Sequence, residues 1–250
     1  QANNVSVVRV LGEAETSAVV HELLEFLWLV FTKLLDGHLS LLLLDIKAAF
    51  PSVAWSWTWW ILEVRECPTW LRRAVRALYL TSTAQLAIGA QRGGIIPVTS
   101  GMKQGCPMSG SLWNLVFDPF ARHLDSLLVR ATFRGGSLLT AFADDVGIAS
   151  GDIVASVRDI MPSLGLMRSA SRLSLHWKKT VIVNFSKFGE FELRKRIDQS
   201  VPQASGVKIA KSARYLGFMV GPEASEVAWD LPRCKLLKRA RHVRSLGLSL

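Results

Sequence analysis

Cysteine is scarce in this chain, and its spacing removes two chemistries at once. Cys67, Cys106 and Cys234 are odd in number, far apart, and form no CxxC pair. A disulfide framework and a zinc ribbon are both excluded on that pattern, and a reducing, intracellular setting fits it. Histidine is equally unhelpful to a metal: His21, His38, His123, His176 and His242 form no ligand-spaced pair. Acids are outnumbered, 20 Asp+Glu against 30 Lys+Arg, for a net charge of +10. A basic excess of that size calls for a polyanionic partner, nucleic acid first, and says nothing about fold. Long apolar runs are missing too. The segment LLEFLWLVFTKLL (23–35) is broken by Glu25 and Lys33; it is too short between charges to cross a bilayer and reads as a core helix. No repeat and no low-complexity linker divides the chain, so one α/β unit is expected.

What is present alternates between helix and strand signals. Thr16 or Ser17 caps a helix to Leu35, closed by Gly37. LSLLLLD (39–45) has the length of a buried strand. Residues 53–66 and 68–82 read as helices, with Pro68 in the first turn of the second. AQLAIGA (84–90) and GIIPVTS (94–100) read as two strands around a glycine turn. Ser109 or Ser111 opens a helix to Leu128, with a kink expected at Pro119. Residues 138–150 read as strand, turn, strand, and 152–172 as a helix interrupted by Pro162 and Gly165. TVIVNFS (180–186) and ARYLGFMV (213–220) add strands. Trp55 and Trp59 share a helix face, and core packing is the better reading of the tryptophans at 55, 57, 59 and 60.

Basic residues gather late in the chain. Eleven Lys/Arg face three acids between Arg168 and Arg214, and six face none between Arg233 and Arg244. That distribution is the footprint expected for a phosphate backbone.

Within 138–150, LLTAFADDVGIAS, two adjacent aspartates interrupt an apolar stretch. Read alone, Asp144-Asp145 is a solvated turn. Neighbours on a strand point to opposite faces, so the pair by itself does not place both carboxylates on one ion. Asp45 supplies a third acid, again at the end of an apolar run. If the two strands are neighbours, Asp45 and Asp144 meet at one end of a sheet, with Asp145 turned away. Carboxylates so grouped suit magnesium, a hard cation that keeps positions for water and phosphate. A pair of such ions about 3.5–4 Å apart clamps the attacking and leaving oxygens of an in-line phosphoryl transfer.

Five stretches in order then resemble the reverse transcriptase family: DIKAAFPSV (45–53), GMKQGCPMSGSLWNL (101–115), FADD (142–145), LSLHWKKT (173–180) and YLG (215–217). The details are most similar to the non-LTR (LINE-type) retrotransposon branch. The resemblance implies an α/β (α+β) right-hand polymerase palm with partial fingers, an antiparallel sheet covered by helices on one face. Residues 1–38 would be partial fingers, 39–220 the palm with an inserted fingers segment, and 221–250 the basic start of a thumb.

The function so implied is RNA-directed DNA polymerase activity: two-metal transfer of a nucleotide from a dNTP to a DNA primer 3′-hydroxyl on an RNA or DNA template. Asp45 and Asp144 would hold two Mg²⁺ ions (Mn²⁺ as substitute), supported by Asp145 and the Ile46 carbonyl. Phe50 would be the steric gate under the incoming sugar. Lys103 would meet phosphate, with Gln104 and Gly105 along the nascent base pair. Lys179, with Lys178 as rival, would protonate the leaving pyrophosphate. Tyr215, Leu216 and Gly217 would hold the primer end. Two alternatives stand beside this: an inactive or truncated nucleic-acid-binding remnant, and an RNA-dependent RNA polymerase. The second conflicts with Phe50, where those enzymes carry an acid. Forty-four residues precede Asp45 and 33 follow Gly217, so a palm-centred fragment is expected. No membrane partner is expected.

Overall fold

The computed structural model describes residues 10–11, 39–130 and 137–245. The helix expected from Thr16 or Ser17 to Leu35, with its 23–35 run, lies outside the described residues.

A six-stranded sheet carries the architecture. Its strands are β1 (Val10–Leu11), β2 (Ser40–Asp45), β5 (Ser137–Phe142), β6 (Asp145–Ser150), β7 (Val181–Asn184) and β8 (Lys208–Ala210), in the order β1-β5-β6-β2-β7-β8. The four inner strands run antiparallel, but β1 lies parallel to β5 and β8 parallel to β7. The expectation of an antiparallel sheet therefore holds for the centre and not for the edges. The β7–β8 link explains one exception. It passes through α6 (Glu190–Ser200) and a 3₁₀ turn, Pro202–Ala204, which is the crossover a parallel neighbour requires.

Helices cover one face. They are α2 (Trp55–Val64), α4 (Met108–Arg130) and α5 (Ile153–Ser171). Against them the sheet presents Leu42, Leu44, Leu139, Ala141, Val146, Ile148 and Ile182, all buried. The opposite face presents Leu41, Leu43, Leu138, Ala149 and Val183. There a small hairpin, β9 (Ala213–Tyr215) and β10 (Phe218–Val220), lays Tyr215 and Val220 over it. The stretch 213–220, read from its composition as one strand, is two short strands around Leu216-Gly217, the hairpin that the resemblance of YLG implies.

Pro162 and Gly165 do not interrupt α5. Its buried residues Ile153, Val154, Val157, Ile160, Leu164 and Met167 follow the helical period. Packing of that face outweighs the one backbone bond that a proline forfeits, about 3 kcal/mol. Asp152 caps the start, its carboxylate accepting from Ala155 N–H at 3.1 Å.

Between β2 and α4 the chain forms α1 (Ala49–Ser52), α2, α3 (Thr69–Leu80) and a separate two-stranded hairpin, β3 (Thr83–Ile88) and β4 (Gln91–Pro97). Trp55, Trp57 and Trp59 are half-buried and packed against the core, as expected; Trp60 is exposed. After β10 come α7 (Ala224–Val227) and α8 (Asp230–Ser245), the latter carrying Arg233, Lys235, Lys238, Arg239 and Arg241 to solvent. No helix among the described residues is long and apolar enough to cross a membrane.

Candidate active site

Three acids stand near the point where β2 ends and β6 begins. The register sets Asp45 directly opposite Asp145. Residues directly opposite on antiparallel strands share a face, so both lie on the side of Leu41, Leu43 and Ala149, away from the helices. Asp144 sits in the two-residue turn between β5 and β6. Its neighbour Ala143 has φ +51°, a left-handed conformation that costs a non-glycine residue about 1 kcal/mol or more. The strands are neighbours, as the sequence suggested, but the acid in register with Asp45 is Asp145 and not Asp144. The physical reason is the position of the turn. Residues 143–144 close the hairpin, so the ladder begins one residue later than an Asp45–Asp144 pairing needs.

Burial and neighbouring charge both act on Asp145. Its carboxyl is held above the usual range, first by partial loss of water and then by the charges of Asp144 and Asp45. Among the described residues, no group of three or more His, Cys, Asp or Glu side chains is gathered closely enough to hold a metal ion. The donors nevertheless suit a hard cation in kind: they are carboxylate oxygens, and their mutual repulsion is what a divalent ion relieves.

The segment 173–180 braces Asp45 from its other side. The Asp45 N–H donates to Thr180 Oγ1 at 3.3 Å, and the Asp45 carbonyl accepts from His176 N–H at 2.8 Å. Thr180 is fully buried, and its hydroxyl extends the ladder one step beyond β7. Lys178 and Lys179 occupy the exposed turn between those two anchors. Ile46 bridges to Leu175, with its side chain in the helix-side core. The sequence marks Thr180 as the second member of the Lys-Thr pair that ends LSLHWKKT but gives it no role; the structure does.

Phe50 lies on α1, half-buried, stacked on Trp113 with ring centroids 4.8 Å apart. Its carbonyl accepts from Met102 N–H at 2.7 Å, so the ring and the 101–107 loop are fixed to each other. Gly101 has no room for a side chain: with φ +87°, a Cβ there would lie 2.5 Å from the Pro51 carbonyl oxygen. Trp55 donates its indole N–H to the Gly101 carbonyl at 2.9 Å. Gln104 and Gly105 are exposed at the tip, and Lys103 is half-buried. Beside the loop opens a cavity of about 550 Å³, lined by Trp55, Tyr79, Ser100, Lys103 and Gln104 among others, none of them acidic.

Tyr215, Leu216 and Gly217 form the tip of β9–β10. Leu216 and Gly217 have φ +45° and +89°, the pair of positive values that a two-residue hairpin turn of the primed kind demands. Tyr215 is buried against β6. A Cβ on Gly147 would lie 3.0 Å from the Tyr215 hydroxyl oxygen, so the glycine leaves the space that the phenol fills. Burial pushes the Tyr215 hydroxyl well above its ordinary value; a hydrogen bond with Thr140 opposes this, and the Asp145 charge adds to it. The structure thus gathers Asp45, Asp144, Asp145 and the Lys178-Lys179 turn at one sheet end, with Tyr215 docked on the same hairpin. The Phe50 ring and the 101–107 loop are tied together beside the start of α4.

The profile of the family described as reverse transcriptase (RNA-dependent DNA polymerase) matches residues 13–220. Among curated proteins, the chain is similar to the transposon TX1 uncharacterized 149 kDa protein of Xenopus laevis, 24% identical over 207 residues. That match takes in 80% of this chain and 15% of the relative. Among solved structures, the fold is similar to telomerase from Candida albicans in complex with a TWJ fragment of telomeric RNA, at TM-score 0.58 and 13% identity, over 86% of this chain and 33% of that one. A truncated apo telomerase from Candida tropicalis gives TM-score 0.56 and 13% identity, over 86% of this chain and 39% of that one.

Proposed function

The chain belongs to the reverse transcriptase family, related to non-LTR retrotransposon elements, and from that premise we propose that it is the palm-centred core of an RNA-directed DNA polymerase. The observation that carries the reading is the register of Asp45 against Asp145 with Asp144 in the adjoining turn. Residues 39–220 act as palm with an inserted fingers segment, and the basic helix α8 begins a thumb. The substrates are an RNA or DNA template, a DNA primer and dNTPs.

Asp45, Asp144, Asp145 and the Ile46 carbonyl would hold two Mg²⁺ ions. Bound there, the ions supply charge neutralisation and orientation to the attacking and leaving oxygens. The chain's residues do the rest. The primer 3′-hydroxyl gives its proton to solvent water and its oxygen bonds to the α-phosphorus of the dNTP, while the bond from the α-phosphorus to the α,β-bridging oxygen breaks and pyrophosphate leaves. Lys179, on the turn braced against Asp45, gives the departing pyrophosphate a proton. Phe50, backed by Trp113, leaves no room for a ribose 2′-hydroxyl. Gln104 and Gly105 lie along the new base pair, Lys103 meets phosphate, and Tyr215, Leu216 and Gly217 steady the primer end.

Primer extension on an RNA template, with dNTPs and NTPs compared in Mg²⁺, tests this. Asp45→Asn or Asp144→Asn lowers extension by at least about 10²–10³-fold. Salt-sensitive template binding persists in both, because it rests on Lys and Arg. Preference for NTPs would make the chain an RNA polymerase. Absence of extension even in the longer parent protein would make it a nucleic-acid-binding remnant.

A further inference from the structure

The chain has two tyrosines, Tyr79 and Tyr215, and only the second lies in a stretch that resembles the family. Tyr79 sits on α3, 2% exposed, outside every such motif. Its hydroxyl nonetheless reaches the 101–107 loop. The Lys103 N–H donates to Tyr79 Oη at 3.3 Å, and Tyr79 Oη lies 3.4 Å from Ser109 Oγ. Ser109 Oγ donates to the Lys103 carbonyl at 2.6 Å. The Tyr79 hydroxyl also faces Met102 Sδ at 3.7 Å; because Ser109 spends its proton on the Lys103 carbonyl, Tyr79 is the donor between the two hydroxyls, and the bonds close a circuit that starts and ends on the backbone of Lys103. The Lys103 ammonium also lies over the Tyr79 ring, 5.8 Å from its centroid. Trp55 and Trp59 hold that ring edge-on at 5.8 and 6.2 Å.

Lys103 is also the first residue of a tight turn. Its carbonyl accepts from Cys106 N–H at 3.4 Å, and Gly105 has φ +81°, the positive value that the third position of a type II turn requires. A Cβ on Gly105 would meet nothing within 4 Å, so nothing packs on that side of the turn tip. Gln104 and Gly105 are exposed, and the bonds to the Lys103 backbone anchor the turn at its first residue. We infer that Tyr79 is a positioning residue for the Gln104-Gly105 turn, acting through both backbone groups of Lys103, and that Ser109 completes its grip.

The consequence for nucleotide addition rests on the polymerase reading; the consequence for the turn does not. Tyr79→Phe removes one oxygen and keeps the ring. Amide hydrogen exchange of the free protein then rises about five- to tenfold at Lys103 and Cys106, the size expected for one lost hydrogen bond, while α3 and the central sheet keep their protection. Ser109→Ala gives the same local rise. The double variant adds little, because one circuit has been opened twice. In primer extension, Tyr79→Phe raises the KM for dNTP about three- to tenfold and moves kcat less than twofold, since a loosened turn weakens binding rather than chemistry. Unchanged exchange at Lys103 in Tyr79→Phe overturns the inference. So does a rise spread evenly over α3 and the sheet, which would mark a merely structural tyrosine. A wild-type protein that fails to extend primers sinks the polymerase reading, and the exchange result still decides the role of Tyr79.

Discussion

The chain builds two kinds of β-structure, and they are opposites. The central strands β2 and β6 bury nearly every residue, whereas all thirteen residues of β3 and β4 are exposed. Leu86, Ile88, Ile95 and Ile96 stand in solvent on the hairpin. Its register also slips between Gln85 and Ala87, while the β2–β6 ladder is continuous from Ser40↔Ser150 to Asp45↔Asp145. The acids sit at the end of the continuous ladder. A carboxylate can be aimed only from a backbone that has one register, and close packing of shaped side chains on both faces supplies that.

The largest way to test the contrast is to cut the same kind of side chain from each region. Leu42 is 0% exposed and Ile88 80%. Leu42→Ala loses about 3 kcal/mol, from transfer and the cavity left behind. Ile88→Ala changes stability by less than about 0.5 kcal/mol. Urea unfolding of the two variants gives both numbers, and comparable losses would mean that β3–β4 packs as firmly as the sheet.

A smaller effect probes what fixes the register itself. Four consecutive leucines, Leu41 to Leu44, make β2 nearly indifferent to a one-residue slip: either face stays apolar. Shape must decide instead, and Gly147, opposite Leu43 in the ladder, is one position where it is exacting. A Cβ added there would meet Tyr215 Oη at 3.0 Å and Thr140 Cγ2 at 3.4 Å. Gly147→Ala therefore costs about 1–2 kcal/mol through overpacking. Adding Tyr215→Phe recovers part of the loss in a double-variant cycle. Strict additivity of the two would show that the contact does not set the docking of β9–β10.

Much of this was legible in the residues. Asp45, Gln104-Gly105 and Asp144-Asp145 stand in stretches whose order and composition leave few alternatives, and the helix and strand runs around them follow from period and punctuation. What the residues could not supply was register. Nothing in FADD says whether the ladder starts at Asp144 or Asp145, because that depends on which two residues the turn consumes. Tyr79 was hidden for a related reason. Its hydroxyl acts across 24 positions of chain, and helical spacing marks it only as one more buried residue of α3. Pro162 misled in the opposite direction, since local propensity argues for a break that the buried face of α5 overrides.

The smallest expected effect isolates the cost of crowding the acids. Asp145 titrates above its ordinary value because water is partly withheld and because Asp144 and Asp45 are charged nearby. A carboxyl whose value is raised by folding binds its proton more tightly in the native state. Its ionised form therefore opposes folding, and the opposition grows as pH rises from the unfolded value, about 3.9, through the folded one. Asp145→Asn removes that opposition. In the metal-free protein the variant melts above the wild type at pH 7. The gap narrows on acidification and closes below about pH 4, where both carry a neutral side chain. The gap is small because Asp145 keeps part of its surface in solvent, which screens its neighbours' charges. Magnesium sharpens the comparison with the buried sheet, whose leucines are indifferent to ions. It raises the wild-type midpoint at pH 7 more than that of the variant, as a ligand bound only to the native state must. A variant whose advantage is the same at pH 3.5 as at pH 7 would show that the charge of Asp145 is not what strains this end of the sheet.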